Sequence, residues 1–192
     1  MFIELIGATM TMLSVIYAVS EKWITWIWSS LSALFYLYIY VAAGLYVSAE
    51  IQILYLIISL YGLTRWYRKS SDENHKEQIK AGSWLVNFLT ATCIVALALI
   101  LFVLNKDADG ARLVLFDSVL VATAIVAQYL MARKYINCWV LWIIVNIGYL
   151  PILYMQELWI SFGLYIFLFY FTCKGAIDWH RKLKNINKAS LV

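Results

Sequence analysis

The side chains able to do chemistry along the apolar runs of this sequence are neutral. Gln52, Tyr55, Ser59, Gly62 and Trp66 step by three or four positions and so share one face of a helix. Trp28 and Ser32 share a second face, and Trp142, Asn146 and Tyr149 a third. Gln128 stands alone mid-run, and Tyr165 and Thr172 lie in the last run. Amides and hydroxyls in hydrocarbon are costly unless they are hydrogen-bonded, so each needs a neighbouring helix or a ligand. Ligand contact is the favoured reading for Asn146 and Gln52, because each recurs beside aromatics on its face; for the others interhelical bonding is an equal reading. Trp142, one turn from Asn146, is the best candidate for stacking on a flat ring. Such a set, without carboxylates, suits an uncharged or delocalised-cation aromatic molecule that bears hydroxyls. No nucleophile–base pair, phosphate loop or metal cluster is visible, so an enzyme is not expected and no cofactor is called for.

The elements that must position these groups are membrane helices. The chain of 192 residues is 64% hydrophobic and 14% charged, against about 45–50% and 25% in a soluble domain. A soluble body of this size could not cover that much apolar surface. The apolar runs are continuous and long, whereas barrel strands would alternate. Seven spans are expected: 2–19, 23–46, 51–67, 84–104, 113–131, 136–155 and 158–177. The first lacks a cleavage site for a signal peptidase and counts as a helix. Cys93, Cys138 and Cys173 fall in separate spans and are expected to be small apolar residues.

Charge is informative by position. Alternating spans put thirteen of the fifteen basic residues on one side, leaving only Lys106 and Arg112 on the other. The positive-inside rule then sets the N-terminus outside and the C-terminus in the cytoplasm. The net charge of +4 reports topology and gives no nucleic-acid footprint. Glu4, Glu50, Asp117 and Glu157 map to outer span ends, Asp178 to an inner end, and His75 and His180 to cytoplasmic segments. With no acid or histidine at depth, direct proton coupling is not expected; sodium coupling through neutral ligands stays open. Trp23, Trp66, Trp84, Trp139 and Trp179 lie near span ends and are expected to anchor at the interfaces.

Spans one to three recur as spans five to seven. Glu4 corresponds to Asp117 at an offset of 113, and Trp28-x-x-x-Ser32 to Trp142-x-x-x-Asn146 at 114. Gln52, Tyr55, Ser59, Gly62 and Trp66 fall on Tyr165, Leu168, Thr172, Gly175 and Trp179, again at 113. Three spans per copy would invert the second copy unless an extra crossing intervened, and span four supplies it. The expected architecture is an all-α, seven-helix 3+1+3 parallel repeat. Residues 1–67 form the first unit, 68–112 a cytoplasmic loop and inverting helix, 113–180 the second unit, and 181–192 a basic cytoplasmic tail. Parallel repeats of this kind build transporters with a site between the halves. A seven-helix receptor or scaffold is the alternative from another class, but it would need neither a repeat nor a linker span.

The segments Phe116-Asp117-Ser118, Ala132-Arg133-Lys134-Tyr135 and Trp139-Val-Leu-Trp142-Ile-Ile-Val-Asn146 resemble the second half of the PnuC vitamin transporters. Gly44-Leu45-Tyr46, Ile51-Gln52 and Leu60-Tyr61-Gly62 resemble the first half, so the likeness spans nearly the whole chain. It implies a SWEET-like fold, commonly a homotrimer in a bacterial inner membrane. The implied activity is inward facilitated diffusion of nicotinamide riboside or a related vitamin, trapped afterwards by a cytoplasmic kinase. Gln52, Trp142 and Asn146 would be the matching binding positions. The nicotinamide riboside members carry an Asn in both halves, whereas the first-half position here is Ser32. The thiamine branch, PnuT, is therefore the close alternative.

Overall fold

The computed structural model describes residues 2–70, 78–105 and 111–189. The expectations on His75, Lys76 and Lys106 lie outside these residues, as do those on the side chains of Glu4, Lys69 and Arg112. Seven helices follow in order: α1 (Phe2–Val19), α2 (Ile24–Ala42), α3 (Tyr46–Ser70), α4 (Trp84–Leu104), α5 (Ala111–Ala132), α6 (Asn137–Met155) and α7 (Trp159–Ala189). Six are long and apolar enough to cross a bilayer. Among the described residues the remaining apolar stretch, Leu5–Val19 of α1, is shorter. Two bounds differ from the sequence reading. The second span stops at Ala42, because Gly44 turns the chain at φ 73°, and α3 starts at Tyr46. The basic segment after residue 180 is no separate tail: α7 runs unbroken for 31 residues to Ala189.

Four helices end in the same way. Glu21 takes a left-handed φ of 54° after α1, with Lys22 N–H reaching Tyr17 O at 3.0 Å and Glu21 N–H reaching Ala18 O at 3.0 Å. This is a Schellman closure. Lys134 at φ 55° repeats it after α5, bonding from Tyr135 to Leu130 and from Lys134 to Met131. Gly44 closes α2 and Glu157 closes α6 by the same pair of bonds. Each equivalence is a shift of 113 residues, and the bounds of α2 and α6 differ by 113 at both ends. The register is therefore constant, and the offset of 114 expected for Trp28 and Ser32 is corrected. Trp142 is the equivalent of Ser29, and Asn146 of Ala33.

Helix contacts complete the repeat. Within each unit α1 packs on α2 and α2 on α3, as α5 packs on α6 and α6 on α7. The units meet along α3–α5 and α1–α7, two contacts related by the same shift. Ala122, Ala127 and Ala132 on α5 are fully enclosed, small enough for neighbouring backbones to come close. The inverting helix α4 leans on α5, with Ala98 and Leu101 against Ala122. Its start is pinned to the α5–α6 turn, where Lys80 N–H bonds Lys134 O and Ile136 N–H bonds Lys80 O.

Candidate functional site

Three layers of side chains cross the seam between the units. On α3 they fall at Gln52, Ser59 and Trp66, and on α7 at the equivalents Tyr165, Thr172 and Trp179. Seven residues separate successive layers, about 10 Å of rise on one helix face.

The layer at the basic end is made of tryptophan. Trp26 meets Trp66 edge to face at 5.4 Å, and Trp139 meets Trp179 at 5.4 Å, each pair near perpendicular. Trp66 and Trp179 lie 6.2 Å apart across the seam. Glycine allows the arrangement: a Cβ at Gly62 would sit 2.5 Å from the Trp26 ring, and one at Gly175 the same distance from Trp139. Trp66 donates from Nε1 to Ala132 O of the other unit at 3.1 Å, and Trp179 donates to Val19 O at 3.3 Å. Beyond the rings, Lys134 pairs with Glu21 at 2.8 Å, and Lys182 takes the second carboxylate oxygen at 2.8 Å. The Lys134 ammonium also stands 4.8 Å from the Trp66 ring centre. Burial works against the Glu21 carboxylate, but the two lysines outweigh it and hold its pKa below the usual carboxylate range. Trp66, Trp139 and Trp179 are thus enclosed at 4%, 1% and 0% exposure, which corrects their expected place as interface anchors. Trp84 is exposed at 78%.

The middle layer holds the amides. Gln128 donates from Nε2 to Ser29 Oγ at 2.9 Å and makes a longer contact with Ser59 Oγ at 3.5 Å. Ser29 and Ser59 are themselves 2.8 Å apart, so one amide ties α5 to α2 and α3. Asn146 donates to Thr172 Oγ1 at 3.0 Å, while Thr172 donates to Leu168 O at 2.6 Å. The half-buried Trp142 packs against the tryptophan core, and its enclosed Nε1–H has no hydrogen-bond partner among the described residues. Trp26 and Trp139 share that condition. A buried donor without a partner costs roughly 1–3 kcal/mol.

The layer at the far end is phenolic. Tyr149 donates to Asp117 Oδ1 at 3.0 Å and meets Tyr165 at 5.2 Å between ring centres. Tyr36 stacks on Tyr40 at 6.0 Å and lies over Gly7. Tyr55 is within Coulombic reach of Tyr40, Tyr165 and Asp117.

A family model described as "Nicotinamide mononucleotide transporter" matches residues 1–181. The chain belongs to this family. It is a multi-pass membrane transporter and not an enzyme. Over 207 aligned residues it is 26% identical to the nicotinamide riboside transporter PnuC of Escherichia coli (strain K12), across 93% of this chain and 84% of that one. The Shigella flexneri protein of the same name matches equally. The fold is similar to a solved structure described as the vitamin B3 transporter PnuC, with a TM-score of 0.75 and 22% identity over 96% of this chain and 83% of that one.

Within this family fold, the sequence-derived candidates separate. Gln128, Ser59, Asn146, Thr172 and Trp142 gather in the middle layer, and Tyr55, Tyr149 and Tyr165 in the phenolic one. Gln52 is partly buried, one heptad from Ser59 on the phenolic side. Ser32 faces away from the seam, with its hydroxyl 3.0 Å from that of Thr11 on α1. Trp28 lies about 100° round α2 from Ser29, off the seam-facing line. Sequence reasoning missed Ser29, Trp26 and the Glu21–Lys134 pair. Holding the offset at 113 through α2 would have paired Trp26 with Trp139 and exposed all three.

Proposed function

We propose that the chain carries nicotinamide riboside across a bacterial inner membrane by facilitated diffusion. The N-terminus is outside and the basic end faces the cytoplasm. The units at 1–67 and 113–180 rock about the middle layer, and the tryptophan layer is the closed cytoplasmic end. The observation that carries this reading is the unpartnered indole N–H of Trp142, one turn from Asn146 on the seam. There a flat ring can stack, accept the indole hydrogen bond and use the amide. The curated relatives named for the riboside support the same cargo. Among the described residues, no Lys or Arg bonds the middle-layer groups, which favours the riboside over its phosphorylated form. No acid or histidine joins that layer either, in keeping with transport without direct proton coupling. Orphaned N–H groups on Trp26 and Trp139 lower the cost of opening the cytoplasmic end to water. Homotrimeric assembly and trapping by a cytoplasmic kinase form part of the proposal.

Purified protein in vesicles tests it, with nicotinamide riboside, its mononucleotide and thiamine as cargo. Saturable, non-concentrative flux of the riboside is expected. Thiamine flux alone would move the assignment to the thiamine alternative, and flux of neither would return the chain to the receptor or scaffold class. Accumulation of unmodified riboside against its gradient would refute facilitated diffusion.

A further inference from the structure

The phenolic layer holds a charge that the middle layer lacks. Asp117 sits near the start of α5 with an exposed side chain. One carboxylate oxygen accepts from Tyr149 at 3.0 Å. Among the described residues no lysine or arginine pairs with this carboxylate, and its second oxygen accepts no hydrogen bond. Around it stand half-buried tyrosines from four other helices, Tyr40 of α2, Tyr55 of α3, Tyr149 of α6 and Tyr165 of α7, with Tyr36 behind Tyr40. Tyr149 is tilted against Tyr165 at 5.2 Å, and Tyr36 stacks on Tyr40 at 6.0 Å.

Interhelical glue does not account for this arrangement. A serine or asparagine would bond Tyr149 as well, without setting an unpaired negative charge among the rings. A negative charge set among electron-rich aromatic rings is the recognition chemistry of a delocalised organic cation, attracted both by the carboxylate and by the ring quadrupoles. A pyridinium or thiazolium ring has that charge; the neutral forms of such rings do not.

We infer that Asp117 and the tyrosines around it form an outer binding station for a flat organic cation, distinct from the amide and indole groups of the middle layer. The station stands about 10 Å from Trp142, seven residues along α6 at Tyr149. As the first stop for incoming cargo it rests on the transport reading above, whereas its preference for a cation does not. The carboxylate raises the local concentration of the cationic ring, and the middle layer then selects among cations by hydrogen bonding.

The test is titration calorimetry on the full-length protein in nanodiscs, with 1-methylnicotinamide, methylated on the ring nitrogen, as the cation and nicotinamide as its neutral counterpart. Wild-type protein should bind the cation more tightly, and added salt should weaken that preference. Asp117→Asn should lose about tenfold of the cation affinity while leaving the neutral amide unchanged. Asp117→Glu should keep most of it, and Trp142→Ala should keep the Asp117-dependent part. An unchanged preference in Asp117→Asn overturns the inference, and so does an equal loss in the Glu variant or a complete loss in Trp142→Ala. If neither riboside nor thiamine is transported while the Asp117-dependent preference persists, the functional reading falls and the cation station stands.

Discussion

The tryptophan layer and the middle layer occupy the same seam but treat the repeat differently. At the basic end every element has its equivalent: Trp26 and Trp139, Trp66 and Trp179, Gly62 and Gly175, and the acceptors Val19 and Ala132. One layer away the symmetry breaks. Trp142 stands where the first unit has Ser29, Asn146 where it has Ala33, and Gln128 where it has Val15. A closure made by two similar rigid units works best when both present the same surface. A small ligand on the axis has no two-fold symmetry of its own, so its contacts must differ on the two sides. The proposed function therefore separates mechanical and chemical duties by depth.

The largest expected effects lie in the asymmetric layer. Trp142→Ala should weaken riboside binding by about 10- to 100-fold, the scale of base–aromatic stacking at roughly 1–3 kcal/mol. Asn146→Leu should act similarly without unfolding the protein, because Thr172 keeps its own bond to Leu168 O. Calorimetry with the purified variants, and size-exclusion profiles beside it, would check both. Normal binding in both variants would reduce these residues to helix packing and remove the chemical half of the contrast.

Substitutions in the symmetric layer sharpen the other half. Gly62→Ala and Gly175→Ala each drive a methyl into a tryptophan ring, at about 1–3 kcal/mol for overpacking. Thermal melts in detergent should show similar losses for the two, and clearly unequal losses would break the equivalence. The smallest effect belongs to the ion pair. Glu21→Gln should cost no more than about 1 kcal/mol, since the pair is partly solvated. The Glu21 pKa is depressed in the folded state, so its contribution is complete above the ordinary carboxylate range and fades as pH falls through the lowered value. Melts should therefore converge for wild type and Glu21→Gln at acid pH and differ by a constant amount near neutrality.

Much of the fold was legible because hydrocarbon imposes long apolar runs and the positive-inside rule marks their ends. The Gly-x-x-x-Trp sequences at Gly62 and Gly175 were visible too. Their meaning was not, because a tryptophan at a span end has the same composition whether it meets lipid headgroups or another tryptophan. What decides is the rotational phase between helices, set by the ring over each glycine. Ser29 was hidden for the same reason. A serine in an apolar run gains a role only when Gln128, 99 residues away, turns toward it. Asp117 was legible as a span-end charge but not as the neighbour of tyrosines drawn from both units.

The ion pair at the two left-handed turns has one more consequence. Glu21 and Lys134 are equivalent positions, 113 residues apart, and they meet each other across the pseudo-two-fold axis. Two copies of the first unit joined in the same way would set glutamate against glutamate, and two copies of the second would set lysine against lysine. Like charges so placed repel. The opposite charges therefore favour the pairing of unlike halves over like ones, a modest bias built into two otherwise equivalent turns.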